Sequence, residues 1–357
     1  MIQVTKTFLP SFDEYTAQLK RAWDKGWITN NGELVLELEQ LLKKYLGVKH
    51  LFFCNNGTTV LQMALKALDV KKEVITTPFS YVATTTAILW ENCTPVFVDI
   101  NETDYNVNAD KIEAAITSNT EAILVTHVYG NPCDVQKIEA IAKKHNLKVI
   151  YDGAHAFGVN YKNKSLLSYG DIATCSFHAT KLFHTVEGGA IITNDDEIAN
   201  KLMLFRQFGH VYDDYYSIGI NAKNSEFHAA MGLAVFPKIS DLIEKRKVLT
   251  NLYDQKLLPL GLIRPQSLKD TNYNYSYYPI VFRSEEELLN VKNKLAQNEI
   301  NTRRYFFPSL NELPYLTKKY ECSVSEDISR RVLCLPLYPD LEAVTVDKIC
   351  SIIKTNI

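Results

Sequence analysis

From about residue 50 to 195 the chain alternates short runs of β-branched and other apolar residues with longer stretches whose apolar side chains recur every three or four positions. The short runs predict strands at Leu51–Phe53, Glu73–Thr77, Pro95–Ile100, Ala122–Thr126, Lys148–Tyr151, Ile172–Phe177 and Ala190–Thr193. Helices are expected after most of them. The first is marked by Val60, Met63, Ala64, Ala67 and Leu68, which fall on one face at i, i+3, i+4, i+7 and i+8. This alternation predicts an α/β fold: a seven-stranded, mostly parallel mixed sheet flanked by helices. One connection breaks the rhythm. Only about a dozen residues separate Phe177 from Ala190, barely room for a crossover helix, so an antiparallel return is expected there with Lys181 in the loop.

Past residue 240 the pattern changes to a helix (Ile239–Lys256), an aromatic-rich strand (Tyr273–Phe282) and a helix opening at Ser284 with Glu287 as its capping-box partner. A strand at Val332–Leu337 and a helix from Val346 follow. The expected organisation is an N-terminal arm (1–20), a large domain (21–240) and a smaller C-terminal α+β domain (241–357).

Charge narrows the function. The 39 basic and 41 acidic side chains nearly cancel, giving no electrostatic footprint for nucleic acid or a membrane surface. No segment offers the roughly 18 apolar residues of a membrane span, and the N-terminus lacks a signal-like pattern, so a cytoplasmic protein acting on a small molecule is expected. Seven cysteines without a C-x-x-C pair fit neither a disulfide framework nor a zinc knuckle; buried, reduced thiols are expected. The eight histidines show no H-E-x-x-H spacing, which argues against a metal. No G-x-G-x-x-G follows the first strand, which argues against a nicotinamide cofactor.

Three stretches carry candidate chemistry. Cys54-Asn-Asn-Gly57-Thr58-Thr59 lies between the first strand and its helix, where free backbone N–H groups can receive an anion; an ordinary glycine turn with a threonine cap is the plainer alternative. Asp152 ends a buried strand at the edge where open α/β sheets bind ligands, although a turn aspartate would look the same. Lys181 stands among apolar, hydroxyl and imidazole neighbours in Ser176-Phe-His-Ala-Thr-Lys-Leu-Phe-His-Thr-Val-Glu-Gly-Gly189. A lysine removed from water loses basicity from about 10.4, leaving an amine able to attack an aldehyde and move a proton; a solvated loop lysine is the alternative.

Taken with Gly26-Trp-Ile-Thr29-Asn-Asn-Gly32, Pro78-Phe-Ser-Tyr81-Val-Ala-Thr84 and Pro95-Val-Phe-Val-Asp99, these stretches resemble the sugar aminotransferases of the DegT/DnrJ/EryC1/StrS family, a branch of the fold-type I pyridoxal phosphate enzymes. The resemblance spans nearly the whole chain. It implies pyridoxal 5'-phosphate as cofactor, alternating with pyridoxamine 5'-phosphate. Lys181 would be the catalytic Schiff-base lysine, Gly57, Thr58 and Ser176 would hold the phosphate, and Tyr81 would stack on the ring. Asp152 would meet the ring nitrogen and His155 the ring hydroxyl. Asn221 would reach the cofactor phosphate of a neighbouring subunit, making a homodimer with shared sites.

For substrate, the resemblance implies glutamate and a nucleotide-linked keto sugar, with Thr29, His184, Lys223, Arg303 and Tyr305 as candidate contacts. His184 and Glu187 follow the lysine closely and could face a sugar, but a buried histidine is more often a satisfied structural group than a catalytic one. Lys223 stands where the family commonly shows arginine, so a bidentate anion grip is not carried over. Arg303-Arg-Tyr305 can meet a carboxylate or a pyrophosphate, or can be a solvated strand end. The tyrosines at 273, 275, 277 and 278 are expected in the core or a dimer interface. The string around Lys181 resembles the branch that aminates C4 of dTDP-4-keto-6-deoxyglucose. Amination at C3, and a non-catalytic sugar-nucleotide sensor on the same fold, remain open alternatives.

Overall fold

The computed structural model describes residues 1–357. The seven expected runs form one sheet: β1 (His50–Cys54), β2 (Glu73–Thr76), β3 (Thr94–Phe97), β4 (Thr120–Thr126), β5 (Lys148–Asp152), β6 (Ile172–Ser176) and β7 (Gly189–Thr193). Their order is β1-β7-β6-β5-β4-β2-β3. Pairs within β3-β2-β4-β5-β6 are parallel. Strand β7 alone runs the other way, antiparallel to both β6 and β1, as the short Phe177–Ala190 connection demanded.

Both faces of this sheet are buried, which is why its strands read as nearly continuous apolar runs. Ile123, Val125, Val149 and Tyr151 point to one face, beneath α1 (Phe12–Lys25), α2 (Glu33–Leu46) and other helices. Ala122, Leu124 and Ile150 point to the other, beneath α3 (Gly57–Ala67) and α4 (Ala83–Trp90). Helix α1 runs through residue 20, so the ordered helix begins earlier than the expected end of the arm.

A separate core joins the long helix Ile239–Leu257 to a two-stranded antiparallel sheet, Tyr278–Val281 with Val332–Leu335, and to helices Glu285–Gln297 and Ala343–Lys354. The aromatic strand is shorter than its sequence suggested. Residues before Tyr278 are drawn onto the loop that follows β5 instead: Asn274 donates to the carbonyls of His155 and Phe157 at 2.8 Å each, Thr271–Asn272 pair with Asn160–Tyr161 in a small separate sheet, and Tyr275 turns at φ 53°. Ser284 does cap its helix through the Glu287 N–H, but Glu287 makes no return bond, so only half of the expected capping box forms. All seven cysteines are free and buried. No helix is long and apolar enough to cross a membrane.

Buried charges fasten the layers. Glu39 on α2 pairs with Arg206 and also accepts the Phe53 N–H, while Arg206 donates to the Phe53 carbonyl. Glu226 supplies the missing cap of α2 by accepting from Leu34 and Val35 N–H, and Gly32 has no room for a Cβ because Glu226 Cδ would lie 2.6 Å from it. Asp99 accepts the Val324 and Ser325 N–H groups, tying the end of β3 to helix Ser323–Arg331.

His127, following β4, is fully buried and stacked on Tyr151 with centroids 4.6 Å apart. Its Nδ1 accepts the Cys133 N–H, and burial lowers its pKa to about 3. The folded protein therefore binds no proton here until far below 6.5, where the unfolded chain already does. Stability is intact above pH 6.5 and falls as pH drops below it, by ~1.4 kcal/mol per pH unit for this one group. His127→Asn keeps an acceptor for Cys133 and should flatten the pH slope of urea-unfolding stability between 6.5 and 5 by about that amount. Identical slopes in both proteins would clear His127 of the effect.

Candidate active site

The carboxyl ends of β1, β5 and β6 converge on one cavity of about 310 Å³. At the end of β1, the Asn56 side chain accepts the Thr59 N–H at 2.8 Å and opens α3. That leaves the Gly57 and Thr58 N–H groups, the first of the helix, without an intrahelical partner. Gly57 keeps the cradle open: a Cβ would lie 3.0 Å from Ser176 Cβ, crowding the space between α3 and the end of β6. Thr58 and Ser176 add hydroxyls, so this corner suits a phosphate.

Opposite it, Asp152 ends β5, 4% exposed. Its Oδ1 accepts the Ala154 N–H at 3.0 Å and its Oδ2 the Thr84 hydroxyl at 2.8 Å. Burial raises its pKa, while Thr84 and Ala154 oppose that rise. His155 is buried, stacked on Phe306 at 5.5 Å, and accepts the Tyr129 N–H at Nδ1. Burial holds its pKa well below the usual imidazole value, so the ring is neutral and its proton sits on Nε2.

Lys181 lies on the twelve-residue return from β6 to β7. That return is clamped as a hairpin by Phe177 N–H to Gly188 O, Thr185 N–H to Phe177 O and Ala179 N–H to Val186 O, all under 3 Å. The turn at its tip, closed by Lys181 N–H to His178 O, aims the lysine at the cavity. Its Nζ donates to the Tyr277 hydroxyl at 3.3 Å. Contrary to the expected loss of basicity, its pKa stands above the ordinary lysine value. Burial lowers it, but Tyr277, the Asp152 carboxylate and Tyr305 together outweigh burial.

Of the expected residues, Gly57, Thr58, Tyr81, Asp152, His155, Ser176, Lys181, Arg303 and Tyr305 all line this cavity. Tyr81 is 56% exposed, and Arg303, free of any carboxylate partner, lies over the Tyr305 ring at 5.3 Å. Four others do not line it. Thr29 is exposed elsewhere, and the Lys223 ammonium lies over the Phe208 ring at 5.1 Å. Asn221 is exposed, with its backbone bridged to Gln207. His184 is fully buried, with Nε2 donating to the Phe8 carbonyl at 2.6 Å and Nδ1 accepting the Val186 N–H. Both its nitrogens are engaged, so it is a structural tether between the N-terminal segment and the lysine hairpin rather than a sugar contact. Tyr277, assigned from sequence to core or interface, is a wall of the cavity and the direct partner of Lys181. Thr84 and His178 were also missed as members of the site.

Comparison with known proteins gives the same family throughout. Residues 12–354 match the DegT/DnrJ/EryC1/StrS aminotransferase family. A dTDP-4-amino-4,6-dideoxy-D-glucose transaminase of Shigella dysenteriae is 40% identical, over 99% of this chain and 98% of that protein. A GDP-perosamine synthase of Escherichia coli O157:H7 is 34% identical over 93% and 92%. The crystal structure of DesI with its TDP-sugar product superimposes with a TM-score of 0.94 at 29% identity, covering 99% of this chain and 92% of that one.

If the Tyr277 hydroxyl helps to hold the lysine proton, Tyr277→Phe leaves burial less opposed. The pH at which Lys181 in cofactor-free protein begins to react with an amine-acylating reagent, followed by peptide mass spectrometry, should then move down. An unmoved profile would assign the raised basicity to Asp152 and Tyr305 instead.

Proposed function

This chain belongs to the DegT/DnrJ/EryC1/StrS aminotransferase family and is an aminotransferase; we propose that it uses pyridoxal 5'-phosphate to move the amino group of glutamate onto C4 of a nucleotide-linked 4-keto-6-deoxy sugar, dTDP-4-keto-6-deoxyglucose, giving dTDP-4-amino-4,6-dideoxyglucose. The observation that carries this reading is the placement of one amine, Lys181, in a cavity with a helix N-terminus at one end and a buried carboxylate at the other. That donor set matches a phosphorylated pyridine aldehyde group by group. The substrate follows from the relative at 40% identity, against 34% for the GDP-perosamine synthase.

The chain's own residues divide the work as follows. Gly57 and Thr58 N–H groups, with the Thr58 and Ser176 hydroxyls, would bind the phosphate. Asp152 would keep a proton on the pyridine nitrogen, and the His155 Nε2–H would donate to the ring hydroxyl. Tyr81 would cover a ring face. When bound, pyridoxal phosphate supplies an electron-withdrawing aromatic aldehyde that carries nitrogen from one substrate to the other. Lys181 would anchor it covalently through Nζ at rest. Once a substrate amine has replaced it, free Nζ would take the proton from Cα of glutamate and, in the second half-reaction, return one to the sugar carbon that receives nitrogen. Tyr277 would hold the released ammonium in place between the halves. Arg303, the one arginine lining the cavity, would meet the acidic portion of a substrate, a carboxylate or a diphosphate.

A homodimer is part of the proposal. Asn221 does not line its own chain's cavity, so a role at the cofactor phosphate requires a partner subunit. The segment before it exposes Phe208, Tyr212, Tyr215, Tyr216 and Ile218, an apolar surface suited to such a contact. We also propose the division into an arm, a large cofactor domain to residue 240 and a small domain beyond it, since residues 249–353 close a core of their own.

Two experiments test these statements. Protein loaded with pyridoxal phosphate should lose its visible absorbance band with glutamate and regain it with dTDP-4-keto-6-deoxyglucose, but not with GDP- or UDP-linked keto sugars. Lys181→Ala should show neither change, and borohydride should label Lys181 in the wild type; a label on another residue would overturn the assignment. For the shared site, Lys181→Ala and Asn221→Ala protomers, inactive apart, should on mixing recover roughly a quarter of wild-type activity, as statistical pairing puts both intact groups in one site of each heterodimer. No recovery would place Asn221 outside its partner's site.

A further inference from the structure

Asp152 is held by more than its own strand. Thr126 and Asp152 are register partners at the ends of β4 and β5, and the loop leading into α4 and the helix's first turn bring Ser80 and Thr84, respectively, over them. Thr84 Oγ1 lies 2.8 Å from Asp152 Oδ2 and 2.8 Å from Ser80 Oγ, and Ser80 Oγ lies 2.8 Å from Thr126 Oγ1. All four side chains are buried, none more than 4% exposed.

Each hydroxyl owns a single proton, and an ionised carboxylate can only accept. The shortest contacts are all satisfied when Thr84 donates to Oδ2, Ser80 to Thr84 and Thr126 to Ser80; Thr126 Oγ1 also lies 3.4 Å from Thr84 Oγ1, so any other use of its proton still points toward the carboxylate. The arrangement differs from ordinary helix behaviour. A threonine in a helix commonly donates back to the carbonyl of the preceding turn, as Thr86 does to Val82 at 3.0 Å. Thr84, in the same turn, gives its proton to Asp152 instead.

Taking the cofactor assignment above as given, we propose that Thr84 is a positioning residue for Asp152, and that Thr126, Ser80 and Thr84 form a one-way donor chain that keeps Oδ2 anionic and so keeps the proton on the bound pyridine nitrogen. A buried carboxylate facing a pyridinium shares one proton with it. Fewer donors on the carboxylate raise its proton affinity, the proton crosses from ring nitrogen to Asp152, and the neutral ring withdraws electrons less well. The reach is chemical rather than steric, because valine in place of threonine preserves the shape and removes the hydroxyl, which is both the donor to Oδ2 and the acceptor for Ser80.

The test uses full-length protein loaded with ring-¹⁵N pyridoxal phosphate, read by ¹⁵N NMR, with circular dichroism of the same samples as the folding control. Thr84→Val should move the ring-nitrogen signal toward that of unprotonated pyridine and reduce kcat about 10- to 100-fold, the range of a hydrogen bond to a charged group. Thr84→Ser, which keeps the donor, should retain the wild-type signal. Ser80→Ala should move it in the same direction by less, and decides the matter by itself if Thr84→Val does not fold. A wild-type signal in folded Thr84→Val, or in Ser80→Ala where that variant decides, overturns the proposal. Failure of the wild type to take up the cofactor is a separate outcome that brings down the underlying assignment with it.

Discussion

Twelve residues are barely room for a crossover helix between parallel neighbours, and β7 comes back beside β6 in the opposite sense. The rest of the site hangs from that return. Because it continues the β6–β7 ladder for several residues before turning, its tip stays over the carboxyl edge of the sheet and carries Lys181 there. A true crossover would have taken the lysine down a helix and away from Asp152. The return also presses Gly189 against the Asn56 backbone, which sets the end of β1, and so the start of α3, next to Ser176. Phosphate corner and lysine are thus fixed by one piece of topology.

Holding that edge still is the task of buried carboxylates. Glu39 and Arg206 satisfy one another and the two polar backbone atoms of Phe53, so β1 cannot slide relative to α2. Breaking either partner would strand a charge in the core, a far larger cost than the pair's net contribution. Glu226 and Asp99 spend their charge differently, on free N–H groups at helix starts. The same device recurs at Asp152 with hydroxyls in place of helix donors. Four buried acids are kept in the core by donors that converge on them, and only one of them opens onto the cavity.

Much of this was legible in the residues, and what was missed has a common cause. Strand runs, the antiparallel return, the amphipathic α3 and the Gly57, Asp152 and Lys181 positions are local signals, readable from spacing within a dozen neighbours. Tyr277 is not, because it meets Lys181 across 96 residues of chain and belongs to a segment whose composition reads as core. Thr84 is likewise ordinary as a helix threonine until Asp152, 68 residues on, is placed beside it. His184 misled in the opposite direction. Its nearness to Lys181 in sequence suggested a substrate contact, yet the hairpin turns that side chain inward to the Phe8 carbonyl. The half-formed capping box at Ser284 fails for a similar reason, since pattern alone does not say where the Glu287 carboxylate will point.

The cavity residues also divide by which part of the fold supplies them. The phosphate corner, Asp152, His155 and Lys181 come from the large sheet, and Tyr277, Arg303 and Tyr305 come from beyond residue 270. The second group is tied to the first by hydrogen bonds at its roots: Asn274 to the His155 and Phe157 carbonyls, Tyr273 to the Tyr129 carbonyl, and the Tyr129 hydroxyl to the Tyr305 carbonyl. His155 lies at the seam, its ring stacked on Phe306 and edge-on to Tyr277. Any tilt of the C-terminal segment would therefore move His155 and the Lys181 partner together. The two groups sit on different elements, and the aromatic seam of Tyr129, His155, Tyr277 and Phe306 joins them into one wall of the cavity.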